Sequence, residues 1–219
     1  MESLHSLPRG SKLLDFGCGP GNLSSVLAQE GFNPVGVDIA KDLLAQTRRH
    51  ALRQPHMFVQ YDGTSLPLAT SSFDACVTYL VLIYLIDDAH LHATLCELFR
   101  VLKPGGMLVA MEQTRGQAQS TDGGVKLQRT IGDYVRRFES AGFSAHQPRV
   151  VRRGHFPLLY PIRYGVVPQQ LFSACATLEA WLGKHLPPPR WDYGETLFTL
   201  EKPAPSAPRV PSDEEAGLT

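Results

Sequence analysis

Residues 13–22 read LLDFGCGPGN. A short, mostly apolar run carrying the acidic Asp15 gives way to three glycines at alternate positions, Gly17, Gly19 and Gly21. Such a run suits a strand buried on both faces of a parallel sheet. Closely spaced glycines suit a turn whose backbone passes near a ligand with no Cβ in the way. Leu23, Val26 and Leu27 then recur at helical spacing until Gly31, a natural C-terminal stop. The stretch therefore reads as strand, glycine loop and helix.

The same alternation continues outward. Residues 34–38 (PVGVD) make a second short strand, followed by a helix carrying Leu43, Leu44 and Thr47 to about His50. Residues 57–61 and 73–79 (FDACVTY) supply a third and a fourth strand. Leu91, Leu95, Leu98, Phe99 and Leu102 fall on one helical face that ends at the LKPGG turn, and residues 107–111 form a fifth strand after it. Ile131, Tyr134, Val135 and Phe138 mark another helix, with Thr130 as N-cap and Gly142 as stop. Strand-like runs remain near 144–151 and 195–201. Strands alternating with helices predict an α/β fold with a parallel sheet covered on both faces and ligands at the carboxyl ends of its strands.

Composition bounds the rest. At 219 residues and 43% hydrophobic, the chain can bury one core, and a single domain is expected over residues 1–202. The proline-rich, largely polar residues 203–219 lack the apolar content to pack and are expected to be a disordered tail. Basic and acidic residues balance at 21 each, so no global field draws nucleic acid or an anionic membrane. Cys18, Cys76, Cys96 and Cys175 show no CxxC pair and read as reduced and structural. There is no signal-like apolar segment at the N-terminus and no run near the roughly 20 residues of a membrane span, so a cytoplasmic protein is expected. His90 and His92, two apart on a helix, point in different directions, and no metal site is predicted.

A dinucleotide fingerprint requires G-x-G-x-x-G, whereas the spacing here is G-x-G-x-G with Asn22 at the sixth position. Asp38, 17 residues beyond Gly21, is placed to accept both hydroxyls of a ribose. The ordered set DFGCGPG, VGVD, YDGTSLPLATSSFD and LKPGG resembles the class I methyltransferases that use S-adenosylmethionine, in particular the small-molecule branch. The likeness covers about residues 12–143 and implies a Rossmann-like, doubly wound, seven-stranded sheet, mostly parallel with an antiparallel last strand. It also implies roles for individual residues. Asp15 and the loop Gly17, Cys18, Gly19, Pro20 and Gly21 would cradle the methionine part of S-adenosyl-L-methionine and of its product S-adenosyl-L-homocysteine. Asp38 would bind the ribose, Ile39 would lie beside the adenine, and Asp62, with Gly63 adjoining it, would accept from the adenine amino group. Tyr79 and Leu80 would border the methionine and the acceptor.

The implied reaction is transfer of a methyl group to a small-molecule acceptor, which explains the absence of a triad or metal motif. Related enzymes often carry a histidine after the fourth strand, where this chain reads Tyr79-Leu80-Val81-Leu82-Ile83-Tyr84. The catalytic candidates are therefore Tyr79, Tyr84, Glu112 and His155, the last two for positioning or proton removal. A catalytically silent cofactor-binding module and a protein methyltransferase are the other readings. Residues 155–185, with an amphipathic helix from about 168 to 182, are expected to form a lid-like insertion or a homodimer contact. Arg149, Arg152, Arg153 and Arg163, set among HFPLLYPIRY, give a local hint of an anionic or lipid-like acceptor.

Overall fold

The computed structural model describes residues 2–50, 57–153, 166–185 and 193–204. The strands are β1 (Lys12–Phe16), β2 (Asn33–Asp38), β3 (Met57–Gln60), β4 (Phe73–Tyr79), β5 (Leu102–Thr114), β6 (Gln119–Thr121), β7 (Lys126–Gln128), β8 (Ser144–Ala145), β9 (Arg149–Arg153) and β10 (Gly194–Glu201). The helices are α1 (Asn22–Gln29), α2 (Lys41–His50), α3 (Asp88–Val101), α4 (Ile131–Ser140) and α5 (Phe172–His185). The main sheet runs β3-β2-β1-β4-β5-β10, with β8 and β9 both pairing to the outer side of β10. Pairs from β3 through β5 are parallel, and β10 is antiparallel to β5, β8 and β9. The chain steps from β1 out to β3, then returns to place β4 on the other side of β1. That reversal opens a crevice between the carboxyl ends of β1 and β4.

Neighbouring residues of one strand feed opposite faces, which is why the apolar runs are unbroken. Leu14, Phe16, Cys76 and Ala110 point to one face and pack under Leu91, Leu95 and Leu98 of α3 and Tyr134 and Phe138 of α4. Leu13, Ala75, Val77 and Val109 point to the other, against Leu27 of α1, Phe32 and Leu4. Tyr134, Phe138 and Phe198 contact one another pairwise with ring centroids 5.4–6.1 Å apart. Truncating a fully buried leucine such as Leu98 should cost roughly 2–5 kcal/mol. Thr130 caps α4 by accepting from the amide of Asp133, and Asp87 caps α3 by accepting from the amide of His90.

Several expectations are corrected by long-range pairing. LKPGG does not form a free turn; it is the start of β5, where Gly105 (φ +74°) donates to the Lys202 carbonyl and the Lys202 amide donates to that of Gly106. The single run expected at 144–151 is two short strands, broken at His146-Gln147-Pro148, where proline cannot donate to a ladder. Residues 119–128 form a two-stranded hairpin, β6–β7, that periodicity did not reveal. The helix expected at 168–182 exists as α5, preceded by a 3-10 turn, but Leu171, Phe172 and Leu178 of its apolar stripe are exposed. His155, most of the preceding half of the expected lid, and residues 205–219 lie outside the described residues.

Candidate active site

The loops after β1, β2, β3 and β4 meet at the carboxyl edge of the sheet. The amides of Gly17 and Cys18 donate to the Val37 carbonyl at 2.8 and 3.1 Å, pinning the glycine loop to the end of β2. Gly17 (φ +73°) is packed so closely that an added Cβ would overlap both methyls of Val81. Gly19 (φ +50°) faces open space instead, so a ligand can approach its backbone directly. Asp38 is buried, with Oδ2 accepting from the Gly19 amide at 2.7 Å and Oδ1 from the Ala40 amide at 2.8 Å. Each oxygen keeps a lone pair for a further donor. Beneath the loop, Asp15 accepts from the Ser24 hydroxyl at 2.6 Å, and burial pushes its pKa up to about 6. Burial also pushes the Cys18 thiol up to about 12, so it is an inert packing group beside Leu44 and Phe58.

The loop after β3 is held by side chains of α3. Asp62 is exposed, and its Oδ1 accepts from the Thr64 amide (2.8 Å), the Thr64 hydroxyl (2.7 Å) and the Ser65 amide (3.2 Å). The Thr64 hydroxyl and these amides hold its pKa below the usual carboxylate value. Gly63 (φ +90°) lies near the exposed Ile39, and its carbonyl is 2.8 Å from His90 Nε2. Arg100 donates to the carbonyls of Leu66 and Leu68 and pairs with Glu97, whose pKa it draws down to about 2. An open groove of about 400 Å³ lies here, lined by Gln60, Tyr61, Asp62, Ser65 and Pro67.

On the far side of the crevice, Tyr79 and Tyr84 are about half exposed, and Leu80 turns the chain with φ +56°. Lys126 of the hairpin lies over the Tyr84 ring, 5.4 Å from its centroid. Glu112 lies two residues before the end of β5 and is fully buried, its carboxyl group accepting from the amides of Val81, Leu82 and Ile83. Burial pushes its pKa up to about 8, against the pull of those amides and of Arg129.

The structure thus brings Asp15, Gly17, Cys18, Gly19, Pro20, Gly21, Asp38, Ile39, Asp62, Gly63, Tyr79 and Leu80 to one edge. Tyr84 joins them beside the hairpin, whereas Glu112 lies beneath the edge rather than on it. His90 and His92 are both exposed, and no group of three or more metal-ligating side chains exists among the described residues. Sequence reading missed Ser24, Val81, His90 and Arg129. Only Ser24, placed early in the helix after the loop, had a local signal. The open approach to Gly19, the acceptor capacity of Asp38 and the exposed apolar Ile39 fit a nucleoside cofactor with a polar tail.

A parallel sheet with its switch point at a glycine loop, an acidic residue ending β2 and an antiparallel closing strand defines a Rossmann-like nucleoside-binding fold of the methyltransferase kind. Residues 14–110 match the family described as "Methyltransferase domain". This match, over less than half of the chain, supports a class I S-adenosylmethionine-dependent methyltransferase domain. It is 37% identical over 113 residues to demethylmenaquinone methyltransferase of Beutenbergia cavernae, covering 51% of this chain and 44% of the relative. It is 32% identical over 110 residues to malonyl-acyl-carrier protein O-methyltransferase of Serratia marcescens, covering 50% and 41%. The chain thus spans less than half the length of these relatives. The crystal structure of the 4+2 cyclase SpnF superposes with a TM-score of 0.67 at 23% identity, over 91% of this chain and 78% of that one, a likeness of fold.

Proposed function

We propose that this chain transfers a methyl group from S-adenosylmethionine to a small-molecule acceptor. The observation that carries the reading is the convergence at one edge of an open glycine backbone at Gly19, a buried acceptor at Asp38 and the half-exposed Tyr79 and Tyr84. The cofactor, when bound, supplies a methyl group already activated on a sulfonium. The remaining lone pairs of Asp38 hold the ribose hydroxyls, Ile39 covers one face of the adenine, and Asp62 takes its amino group. Asp15 acts through Ser24 to set the first turn of α1 under the glycine loop. Tyr79 and Tyr84 align the acceptor and exclude water from it, the main demand of in-line attack on an activated carbon.

The names of the two curated relatives support a small acceptor, of the quinone or acyl-carrier kind. Exposed apolar residues on α5, with Trp181 and Leu178 open to solvent, suit cover for such an acceptor, a peripheral lipid contact or a second copy of the chain. No helix among the described residues is long and apolar enough to cross a membrane. A second reading, a catalytically silent cofactor-binding module, is favoured by one fact: residues 79–84, which follow β4, contain no histidine to serve as a base.

Calorimetry should show binding of S-adenosylmethionine and S-adenosylhomocysteine and none of NAD; tight NAD binding with neither of the others overturns the proposal. Turnover of methyl-labelled cofactor against a metabolite panel then separates an enzyme from a silent module.

A further inference from the structure

The segment linking β4 to α3 forms one wall of the crevice, and two buried ionisable side chains grip it, one by accepting from its amides and the other by donating to its carbonyls. Glu112 Oε1 accepts from the amides of Val81 (3.1 Å) and Leu82 (2.9 Å), and Oε2 accepts from that of Ile83 (3.2 Å). Three consecutive N–H groups that α-type geometry leaves unpaired are thus satisfied by one side chain. Arg129, fully buried, takes the carbonyls that follow: its Nη2 donates to Leu85 (2.8 Å) and Ile86 (3.3 Å), and to the Asp88 carboxylate (2.9 Å). The carboxyl group of Glu112 takes the donors of residues 81–83 and the guanidinium takes the acceptors of residues 85 and 86, while the amides of Tyr84, Leu85 and Ile86 turn back onto the carbonyls of Val81, Leu82 and Tyr84. Neither side chain reaches the edge of the sheet.

The segment so held has two working faces. Val81 packs on the α-carbon of Gly17, the first residue of the cofactor loop. Tyr79 and Tyr84 flank it and are open to solvent. We propose that Glu112 and Arg129 are a matched pair of positioning residues that fix residues 81–86, so that Val81 backs the cofactor loop while the two tyrosines frame the acceptor mouth. The proposal rests on the methyltransferase reading of this edge. The geometry favours placement over bulk stability. A fully buried guanidinium whose Nη1 makes no hydrogen bond among the described residues is a costly way to fill a core. The charged and titratable groups around the pair are Asp88 of α3, shared with Arg137 at 2.7 Å, and Asp133 and Tyr134 of α4, with Asp133 Oδ2 3.7 Å from Arg129 Nε.

The test uses the whole chain and S-adenosylhomocysteine as probe. Glu112→Gln keeps the acceptor oxygen for Val81 and Leu82 but turns an NH2 group on the amide of Ile83, which Oε2 serves; Arg129→Lys keeps the charge but loses the fork. Each variant should weaken S-adenosylhomocysteine binding by about tenfold, the scale of one charge-assisted hydrogen bond, and should speed hydrogen exchange at the amides of residues 81–83 while those of β1 stay protected. Val81→Ala should weaken binding by a few fold, and its combination with Glu112→Gln should lose less than the sum of the two, because both act through the same contact. Additive losses, or unchanged exchange at 81–83, overturn the proposal. If the variants do not fold, exchange in the unaltered protein decides: amides at 81–83 as protected as those of β4 support the brace, and rapid exchange there overturns it. Failure of the unaltered protein to bind S-adenosylhomocysteine sinks the cofactor reading separately, and the exchange measurement still decides whether the pair holds the segment.

Discussion

The two walls of the crevice are built by different means. On the β1–β3 side, position comes largely from the backbone: positive φ at Gly17, Gly19 and Gly63, and bonds such as Asp62 to Thr64 and Gly19 to Asp38, 2 and 19 residues apart, with His90, Glu97 and Arg100 of α3 bracing the loop after β3. On the β4–β5 side, position comes from side chains brought together across the fold. Glu112 reaches amides 29–31 residues away, and Arg129 reaches groups 41–44 residues away. A wall set by backbone conformation tolerates no side chain where a glycine sits, but is indifferent to what happens elsewhere. A wall set by buried ionisable side chains responds to protonation and to distant substitutions. Perturbations should therefore sort by side.

The largest effect is expected at Gly17, where both kinds of wall touch. Alanine there must adopt a left-handed conformation, at roughly 1–2 kcal/mol, and overlap Val81, at roughly 1–3 kcal/mol more. Gly17→Ala should lower Tm by several degrees and abolish measurable S-adenosylhomocysteine binding. Gly19→Ala meets no neighbour and should lose binding with a much smaller change in Tm. Equal thermal losses for the two would break the distinction between a packed and an open glycine.

Next in size are the carboxylates of the backbone wall. Asp38→Ala removes a buried acceptor with room for two ribose hydroxyls and also frees the Gly19 amide. Charge-assisted bonds contribute roughly 1.5–3 kcal/mol each, so loss of two should lower affinity by about 100-fold or more. Asp62→Ala removes an exposed group already occupied by Thr64 and Ser65, and a loss of only a few fold is expected. Titration calorimetry on the two variants checks the order, and the reverse order would mean that these roles are exchanged.

How much of this was legible in the sequence follows the same division. Asp15, the glycine loop, Asp38 and Asp62 could be named because each sits within a few residues of a strand end whose apolar run announces it. Thr130 could be read as a cap because its partner, Asp133, is three residues on. Val81 and Arg129 carried no such signal. A valine in an apolar run and an arginine after a glutamine acquire roles only when β5, the hairpin and the N-terminus of α3 are assembled. Glu112 was visible as a strand-end carboxylate, but its inward direction was not, since that depends on which face of β5 meets the 81–83 turn. The hairpin β6–β7 escaped because its strands are three residues each and mostly polar.

Protonation should sharpen the contrast. Burial raises the pKa of Asp15 to about 6 and of Glu112 to about 8, so the folded chain binds these protons more tightly than the unfolded chain. Their contribution to stability is fully present below about pH 4 and is lost as pH rises through about 6 for Asp15 and about 8 for Glu112. Glu112→Gln removes the second of these steps. Its Tm should decline less than that of the unaltered protein between pH 6 and pH 9, while Asp15→Asn should flatten the curve mainly between pH 4 and pH 7. Parallel Tm curves across pH 6–9 would mean that Glu112 does not titrate in that window.

The smallest effect is expected where neither wall is involved. Among the described residues beyond β10, Lys202 anchors the chain: its backbone bonds Gly105 and Gly106, and its Nζ donates to the carbonyls of Phe99 and Leu102 at 2.8 Å each while lying over the Phe99 ring. Those contacts tie the end of the sheet to the α3–β5 junction, at the opposite end of β5 from Glu112. Removing residues 205–219, proline-rich and largely polar in composition, should change neither Tm nor S-adenosylhomocysteine affinity. Ending the chain at Glu201 should cost a few degrees of Tm, because two carbonyls and two glycine positions lose their partner, yet leave affinity within a few fold. A loss of affinity in the shorter truncation with Tm unchanged would show that the tail reaches the crevice, and would make the β4–β5 wall a composite of more than the two buried side chains.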